Sequence, residues 1–243
     1  MQNVDLQVLL ETGAHFGHQT RRWNPKMQEY IYGDESGVHI FDLALTKKAI
    51  DEALEEIKNA SSRGQKIIFV GTKKQAKEKV IEVAKATDSY YVSERWLGGT
   101  LTNFDQILAT LKQMDDMKEE KSMGSYNKYT KKERLMFDRK IERIERFFGG
   151  LYGIKTLPSY IFVVDAKRER GSILEAQDTG VKSIAIVDSN SDPRGIDYVI
   201  PMNDDATKAI SYVLDLAKEA ILEGNKVKLQ KDKKDLKSES KEK

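Results

Sequence analysis

Three short runs in this chain have an apolar interior with no polar alternation: Lys66-Ile67-Ile68-Phe69-Val70, Tyr160-Ile161-Phe162-Val163-Val164-Asp165 and Ser183-Ile184-Ala185-Ile186-Val187-Asp188. A strand with one wet face alternates, so runs like these belong to strands buried on both sides. Each run leads into a segment of helical periodicity, and strands joined in that way form a parallel sheet with helices on both faces and right-handed crossovers. Helical spacing places Ile50, Leu54 and Ile57 on one face of a helix over Thr46–Ala60, and Val80, Val83 and Ala84 in a helix entered through Gly71-Thr72-Lys73-Lys74. Two more helices are expected, from Ile173 to Thr179 with Gly180 as its stop, and from Asp204 to Leu222 with Asn203 as its cap. Tyr90-Tyr91-Val92 and Tyr198-Val199-Ile200 supply two shorter strands.

The alternation breaks between Arg95 and Thr156. After the turn-like Arg95-Trp96-Leu97-Gly98-Gly99-Thr100, a helix begins at Thr102-Asn103, either of which can cap it, with Phe104, Leu108, Leu111 and Met114 as its apolar stripe. Thr130-Lys131-Lys132-Glu133 reads as a capping box opening a second helix, in which Phe137, Ile141, Ile144 and Phe148 have the spacing of a coiled-coil seam. Gly149-Gly150 is expected to end it through a left-handed conformation. Everything outside the seam is charged, with eleven cations against eight acids from Lys112 to Arg146, so the pair is expected to project as an arm. Its tip, Tyr126-Asn127-Lys128-Tyr129 with Lys131 and Lys132, is the part suited to reach a partner.

Near the N-terminus, Val4–Thr12 suggests a short helix using Leu6, Leu9 and Leu10, stopped at Gly13. The following GAHFGHQTRRWNPKM, Gly13 to Met27, is too rich in glycine and polar groups for a long regular element. It still holds two of the three histidines, one of the two tryptophans and three cations. Strands Tyr30-Ile31-Tyr32 and Val38–Phe41 should flank a turn over Gly33–Gly37. Met1–Asp5 lacks the basic and apolar blocks of an export signal, no run is long enough to span a membrane, and cysteine is absent, so a cytosolic, soluble protein is expected. Net charge is +2; the surplus of four positive charges on the lysine-rich tail from Gly224, taken from that total, leaves the body at −2. Global charge therefore does not announce a nucleic-acid binder, and local patches must carry any such reading.

Catalytic signatures are missing where a doubly wound sheet would place them. Gly71 has no companion glycines for a dinucleotide loop, Ile154 occupies the glycine position a phosphate loop needs before Lys155, and no Gly-x-Ser-x-Gly elbow occurs. His15 and His18 have no evident third metal ligand. Asp165 and Asp188 sit at strand ends, where a capping role suffices. No metal or cofactor is expected. The cations are more telling. Arg21, Arg22 and Lys26 surround Trp23 in irregular backbone, where arginine forks grip phosphates; Trp23 either stacks on a base or anchors the core. Arg95-Trp96 repeats the pairing beside Gly98-Gly99, with stacking and packing again both open for Trp96. Lys73 and Lys74 stand at a helix start that already favours an anion.

These segments closely resemble the bacterial small-subunit ribosomal protein S-two family. The matches are GAHFGHQTRRWNPKM (Gly13 to Met27), FVGTKK (Phe69 to Lys74), RWLGGTLTN (Arg95 to Asn103), IVDSNSDP (Ile186 to Pro193) and IDYVIPMNDDA (Ile196 to Ala206), in order along nearly the whole chain. Ser159 and Met202 depart from the family's usual aspartate and glycine. The resemblance implies a flavodoxin-like, doubly wound α/β body with an inserted antiparallel coiled-coil hairpin. It implies no catalysis, but binding of small-subunit ribosomal RNA near the head–body junction and help in recruiting ribosomal protein S-one, with no membrane and no homo-oligomer. The division expected is residues 1–101 and 149–223 as body, 102–148 as hairpin and 224–243 as a disordered tail. The candidate RNA-binding residues are His18, Arg21, Arg22, Trp23, Lys26, Lys73, Lys74, Arg95, Trp96, Asn103, Lys128, Lys131 and Lys132. An enzyme taking a phosphorylated ligand at the strand ends, and a protein-only scaffold using the helical pair, are the alternatives.

Overall fold

A computed structural model describes residues 4–124 and 129–239. Its centre is a sheet of five strands, β4 (Ile67–Val70), β5 (Tyr90–Val92), β6 (Tyr160–Val164), β7 (Lys182–Val187) and β8 (Tyr198–Pro201), in the order β5-β4-β6-β7-β8. All neighbours are parallel, so every strand ends at the same edge. Counted by themselves these strands run 2-1-3-4-5, a doubly wound order with a topological switch beside β4. Ahead of them, β1 (Phe16–Gln19), β2 (Ile31–Glu35) and β3 (Val38–Phe41) make a small antiparallel sheet ordered β1-β3-β2. β1 is a strand the glycine-rich composition concealed.

The helices are α1 (Leu6–Glu11), α2 (Leu43–Ser62), α3 (Lys74–Ala86), α4 (Phe104–Ser122), α5 (Lys131–Phe148), α6 (Arg170–Thr179) and α7 (Thr207–Glu239). The unbroken apolar runs are explained by two cores. Phe69, Phe162, Ile184 and Ile186 point into one with α2, α3 and α7. Their sequence neighbours Ile68, Val70, Ile161, Val163 and Ala185 point into the other with α6, Met27 and Phe41, because successive strand side chains alternate between faces.

Several local expectations need correction. In α1 Leu9 is buried, but Leu6 and Leu10 are exposed. Gly149 keeps right-handed helical angles, with φ −58°, and the chain passes into a 3-10 turn rather than a left-handed stop. Gly150 is needed for a different reason: a Cβ there would overlap the Tyr91 carbonyl and ring. α7 does not end near Leu222 but continues past Gly224 to Glu239. Gly224 lies against α2, where a Cβ would come within 2.5 Å of the Lys58 carbonyl oxygen, so this glycine serves a close helix contact. Residues 240–243 of the expected tail lie outside the described residues.

α4 and α5 lie side by side, bridged by Lys118–Glu145 (3.1 Å) and Lys121–Asp138 (2.7 Å). The buried stripe is Ile107, Leu111, Met114 and Met117 on α4 with Ile141 and Ile144 on α5. Phe104, Leu108, Phe137 and Phe148, expected in the seam, are only partly buried and flank it. The capping box forms as expected, Thr130 and Glu133 each accepting from the other's backbone N–H.

Candidate nucleic-acid interface

The carboxyl ends of the parallel strands gather the loops that the sequence singled out. Gly71 to Lys74 follows β4, Glu94-Arg95-Trp96 follows β5, Asp165 to Arg170 follows β6, and Asp188 to Arg194 follows β7. The N-terminal segment closes over the same edge. Asn24 N–H donates to the Ser189 carbonyl (2.7 Å), His18 N–H to Ser189 Oγ (2.8 Å) and Asn203 N–H to the Ala14 carbonyl (3.0 Å). Gly17 is the point of closest approach, since a Cβ there would stand 2.8 Å from Ser189 Oγ.

Beneath this strap is an ionic knot. Lys73 Nζ lies 2.6 Å from Asp204, 2.6 Å from Asp205 and 3.2 Å from Asp165. Asp165 adopts φ 70°, rare without glycine, in the turn that follows β6. Asp188 and Asp204 are almost fully buried. Burial, together with the facing charges of Asp188 and Asp165, pushes the Asp204 carboxyl up, while Lys73 pulls it down. For Lys73 burial works against the charge, but the hydrogen bonds to Asp204 and Asp205 more than offset it and raise its pKa. His18 Nδ1 sits 2.9 Å from Asp188, with Nε2 3.6 Å from Asp205, and the Asp188 hydrogen bond raises the imidazole above its ordinary value. Lys73 and His18 therefore hold the fold's own carboxylates, and Lys73, expected at a phosphate, stands among three aspartates. His15 does not join His18. Among the described residues no group of three or more histidines or carboxylates is arranged to hold a metal ion.

The other candidates divide by what surrounds them. Lys26 is paired with Asp192 at 2.9 Å, and Asp192 also takes Arg194 at 2.8 Å. Those bonds, Arg194's first, hold the Asp192 carboxyl far below the usual carboxylate range. One carboxylate facing two cations leaves a surplus positive charge. Arg21 is exposed, its Nε donating to Gln19 Oε1 (3.0 Å), and among the described residues Arg21, Arg22, Lys74 and Arg95 have no carboxylate at ion-pair distance, the last three being exposed as well. Trp23 is half-buried, its ring 5.0 Å from that of His39, so it packs on β3 with part of its surface open.

Trp96 takes the packing alternative. It is buried and its Nε1 donates to Glu175 (3.0 Å). Glu175, on α6, also accepts from the backbone N–H groups of Gly99 (2.9 Å), Leu101 (2.8 Å) and Thr102 (3.3 Å). Burial opposes the charge on Glu175, but these donors outweigh it and lower its pKa. Asn103 stands at the start of α4 yet its side chain caps nothing. Glu175, distant in sequence, satisfies the donors of the preceding turn instead. Lys131 and Lys132 are exposed in the first turn of α5, Tyr129 packs on Phe137 with ring centroids 5.0 Å apart, and Lys128 lies outside the described residues.

The residues missed in the sequence are Lys167, Arg168, Arg170 and Arg194. Lys167 and Arg168 are exposed, and Arg168 Nε donates to Thr72 Oγ1 at 2.9 Å. The run Lys167-Arg168-Glu169-Arg170, directly after a buried strand in a parallel sheet, was the signal that could have found them.

Fold and edge together define an α/β protein that keeps its acids inside an ionic knot and turns its arginines outward. Comparison with known proteins supplies the family. Residues 9–224 match the model of ribosomal protein S2. The chain is 45% identical over 221 residues to the small ribosomal subunit protein uS2 of Roseiflexus sp. (strain RS-1), covering 91% of this chain and 84% of that protein. It is likewise 45% identical over 221 residues to the small ribosomal subunit protein uS2 of Chloroflexus aggregans, covering 91% of this chain and 93% of that one. The chain belongs to the ribosomal protein S2 family, whose members are structural, non-enzymatic components of the ribosome. No helix among the described residues is long and apolar enough to cross a membrane.

Proposed function

We propose that this chain is a structural constituent of the small ribosomal subunit, holding small-subunit ribosomal RNA against the carboxyl edge of its sheet near the head–body junction. The observation that carries the reading is the division of labour at that edge. Lys73 and His18 neutralise the buried aspartates, so Arg21, Arg22, Arg95 and Arg168 are left to face a polyanion from a body whose overall charge is negative. The α4–α5 pair acts as an antiparallel coiled-coil arm that carries Lys131 and Lys132, and with them Lys128, to a second stretch of RNA. The crossed pairing of 118 with 145 and 121 with 138 supports that geometry. The small N-terminal sheet and α1 bear exposed Leu6, Leu10, Phe16 and Tyr32, an apolar surface suited to a neighbouring protein, with ribosomal protein S-one the partner that the family resemblance suggests.

Sedimentation with small subunits depleted of their own S2 protein tests the reading. The chain should travel with the particles at moderate salt, and its affinity should fall steeply as salt rises. Failure to co-sediment at moderate salt rejects it.

A further inference from the structure

We propose that the cleft of about 340 Å³ lined by Thr72, Glu94, Arg95, Trp96, Arg168, Glu169 and Gly171 seats one phosphodiester of the RNA backbone, gripped by the guanidinium groups of Arg168 and Arg95. This rests on the reading of the chain as an RNA-bound protein and names one contact within it. The cleft opens beside β4, which pairs with β5 on one side and β6 on the other, the topological switch where doubly wound sheets take ligands.

Arg168 is prepared for such a contact before any ligand arrives. Its Nε donates to Thr72 Oγ1 (2.9 Å), and the Thr72 hydroxyl donates in turn to Glu169. That relay fixes the stem of a long, mobile side chain, while no described residue accepts from its two terminal nitrogens. A guanidinium so held presents two parallel N–H groups, the geometry that matches a pair of phosphate oxygens. Fixing it in advance removes part of the entropy cost of binding. Arg95 on the facing loop is exposed and, among the described residues, has no carboxylate at ion-pair distance.

The acids in the cleft do not cancel this field. Glu94 is shared between Lys77 and Arg146. Glu169 is 4% exposed and its Oε1 lies 3.8 Å from Arg168 Nε, on the side of the guanidinium away from its two terminal nitrogens; burial raises its carboxyl's pKa, against the pull of the Thr72 hydroxyl and Arg168. Counting Lys77 and Arg146, which share Glu94, together with Arg95 and Arg168 against the two glutamates leaves the mouth positive, which suits a phosphate.

The test uses the full-length chain and small subunits depleted of S2 protein, with affinity measured across a salt series. Arg168→Ala and Arg95→Ala should each lower the slope of log affinity against log salt by about 0.7 to 0.9, one phosphate's worth of released counterions. Thr72→Val keeps the charge and removes the hydroxyl that holds Arg168; measured well below the variant's melting temperature, which the lost Glu169 hydrogen bond will lower, it should weaken binding several-fold at fixed salt. Lys85→Ala, in the last turn of α3 at the opposite edge, should change neither. Equal slope changes for Arg168→Ala and Lys85→Ala, or unchanged affinity for Thr72→Val, overturn the assignment. So does Arg168-dependent binding of inorganic phosphate to the free chain, followed by phosphorus NMR, if the subunit slope is intact in Arg168→Ala: the ligand would then be a free anion. If the unaltered chain fails to bind depleted subunits at all, the broader reading falls with this one. If only the variants behave like wild type, the broader reading survives.

Discussion

Replacing Lys73 by methionine separates the two roles that a lysine at this edge could have. The Lys73 side chain is 13% exposed and its ammonium touches Asp204, whose side chain is 2% exposed, Asp165 at 12% and Asp205 at 51%. Removing one member of a buried ion pair leaves the others uncompensated, at a cost of about 3–5 kcal/mol. The half-exposed Asp205 adds little. Asp204, already pushed up by burial, can also take a proton once Lys73 is gone, which caps the loss. We therefore expect Lys73→Met to destabilise the fold by about 3 kcal/mol, a fall in melting temperature of roughly 6–12 °C for a chain of this size. The deficit should shrink as pH falls and Asp204 protonates. Asp204→Asn in the same chain should restore part of it, which thermal or denaturant unfolding of the two single variants and the double variant would measure as a coupling. If Lys73→Met melts with the wild type and instead flattens the salt dependence of subunit binding, the lysine faces a phosphate and the knot described above is wrong.

Three further outcomes follow from the same contacts. Glu175→Ala strips the acceptor from the Trp96 indole and three backbone N–H groups at the root of α4; it should cost about 3 kcal/mol in denaturant unfolding and speed amide exchange at Gly99 and Leu101 before the rest of the body. Gly150→Ala places a methyl into the Tyr91 carbonyl, which is backbone and cannot step aside, so a loss of at least about 2 kcal/mol is expected, against about 1 kcal/mol or less for Gly153→Asn, where nothing lies within 4 Å and the cost is that of holding φ 80°, a conformation asparagine tolerates better than most residues. The N-terminal strap should loosen as pH rises. His18 is held charged by Asp188, with Asp204 and Asp205 adding to it, so its folded pKa lies above its ordinary 6.5. Its contribution is then complete below about pH 6.5 and drains away as pH climbs through the folded value. Amide exchange at Asn24 and Asn203 should accelerate over that range beyond intrinsic base catalysis, and His18→Ala should abolish the excess.

What could be read from residues alone was the part that local chemistry decides. The apolar runs at 67–70, 160–164 and 184–187 became central strands because no polar position interrupts them, and the Thr130–Glu133 box started α5 because its two groups satisfy each other within one turn. What stayed hidden depends on partners far along the chain. The three aspartates around Lys73 were out of sight because they lie 92 to 132 positions away, and the acceptor for the turn before α4 is Glu175, while the Asn103 side chain caps nothing. Gly150 read as a helix end and Gly224 as the start of a tail, yet both are sites of close approach, a property of the neighbour rather than of the glycine. Arg168 was overlooked because a run of mixed charge after a strand resembles an ordinary solvated turn until Thr72 is seen holding it.

The central claim is that RNA meets the carboxyl edge of the sheet, and ultraviolet crosslinking of the assembled small subunit, with peptides identified by mass spectrometry, addresses it most directly. Crosslinks should fall on peptides containing Arg21 and Arg22, Arg95, and Lys167 to Arg168, with a second group at the start of α5. Crosslinks confined to the exposed faces of α2 and α7 or to the opposite strand edge, with the arginine loops silent, would contradict the account.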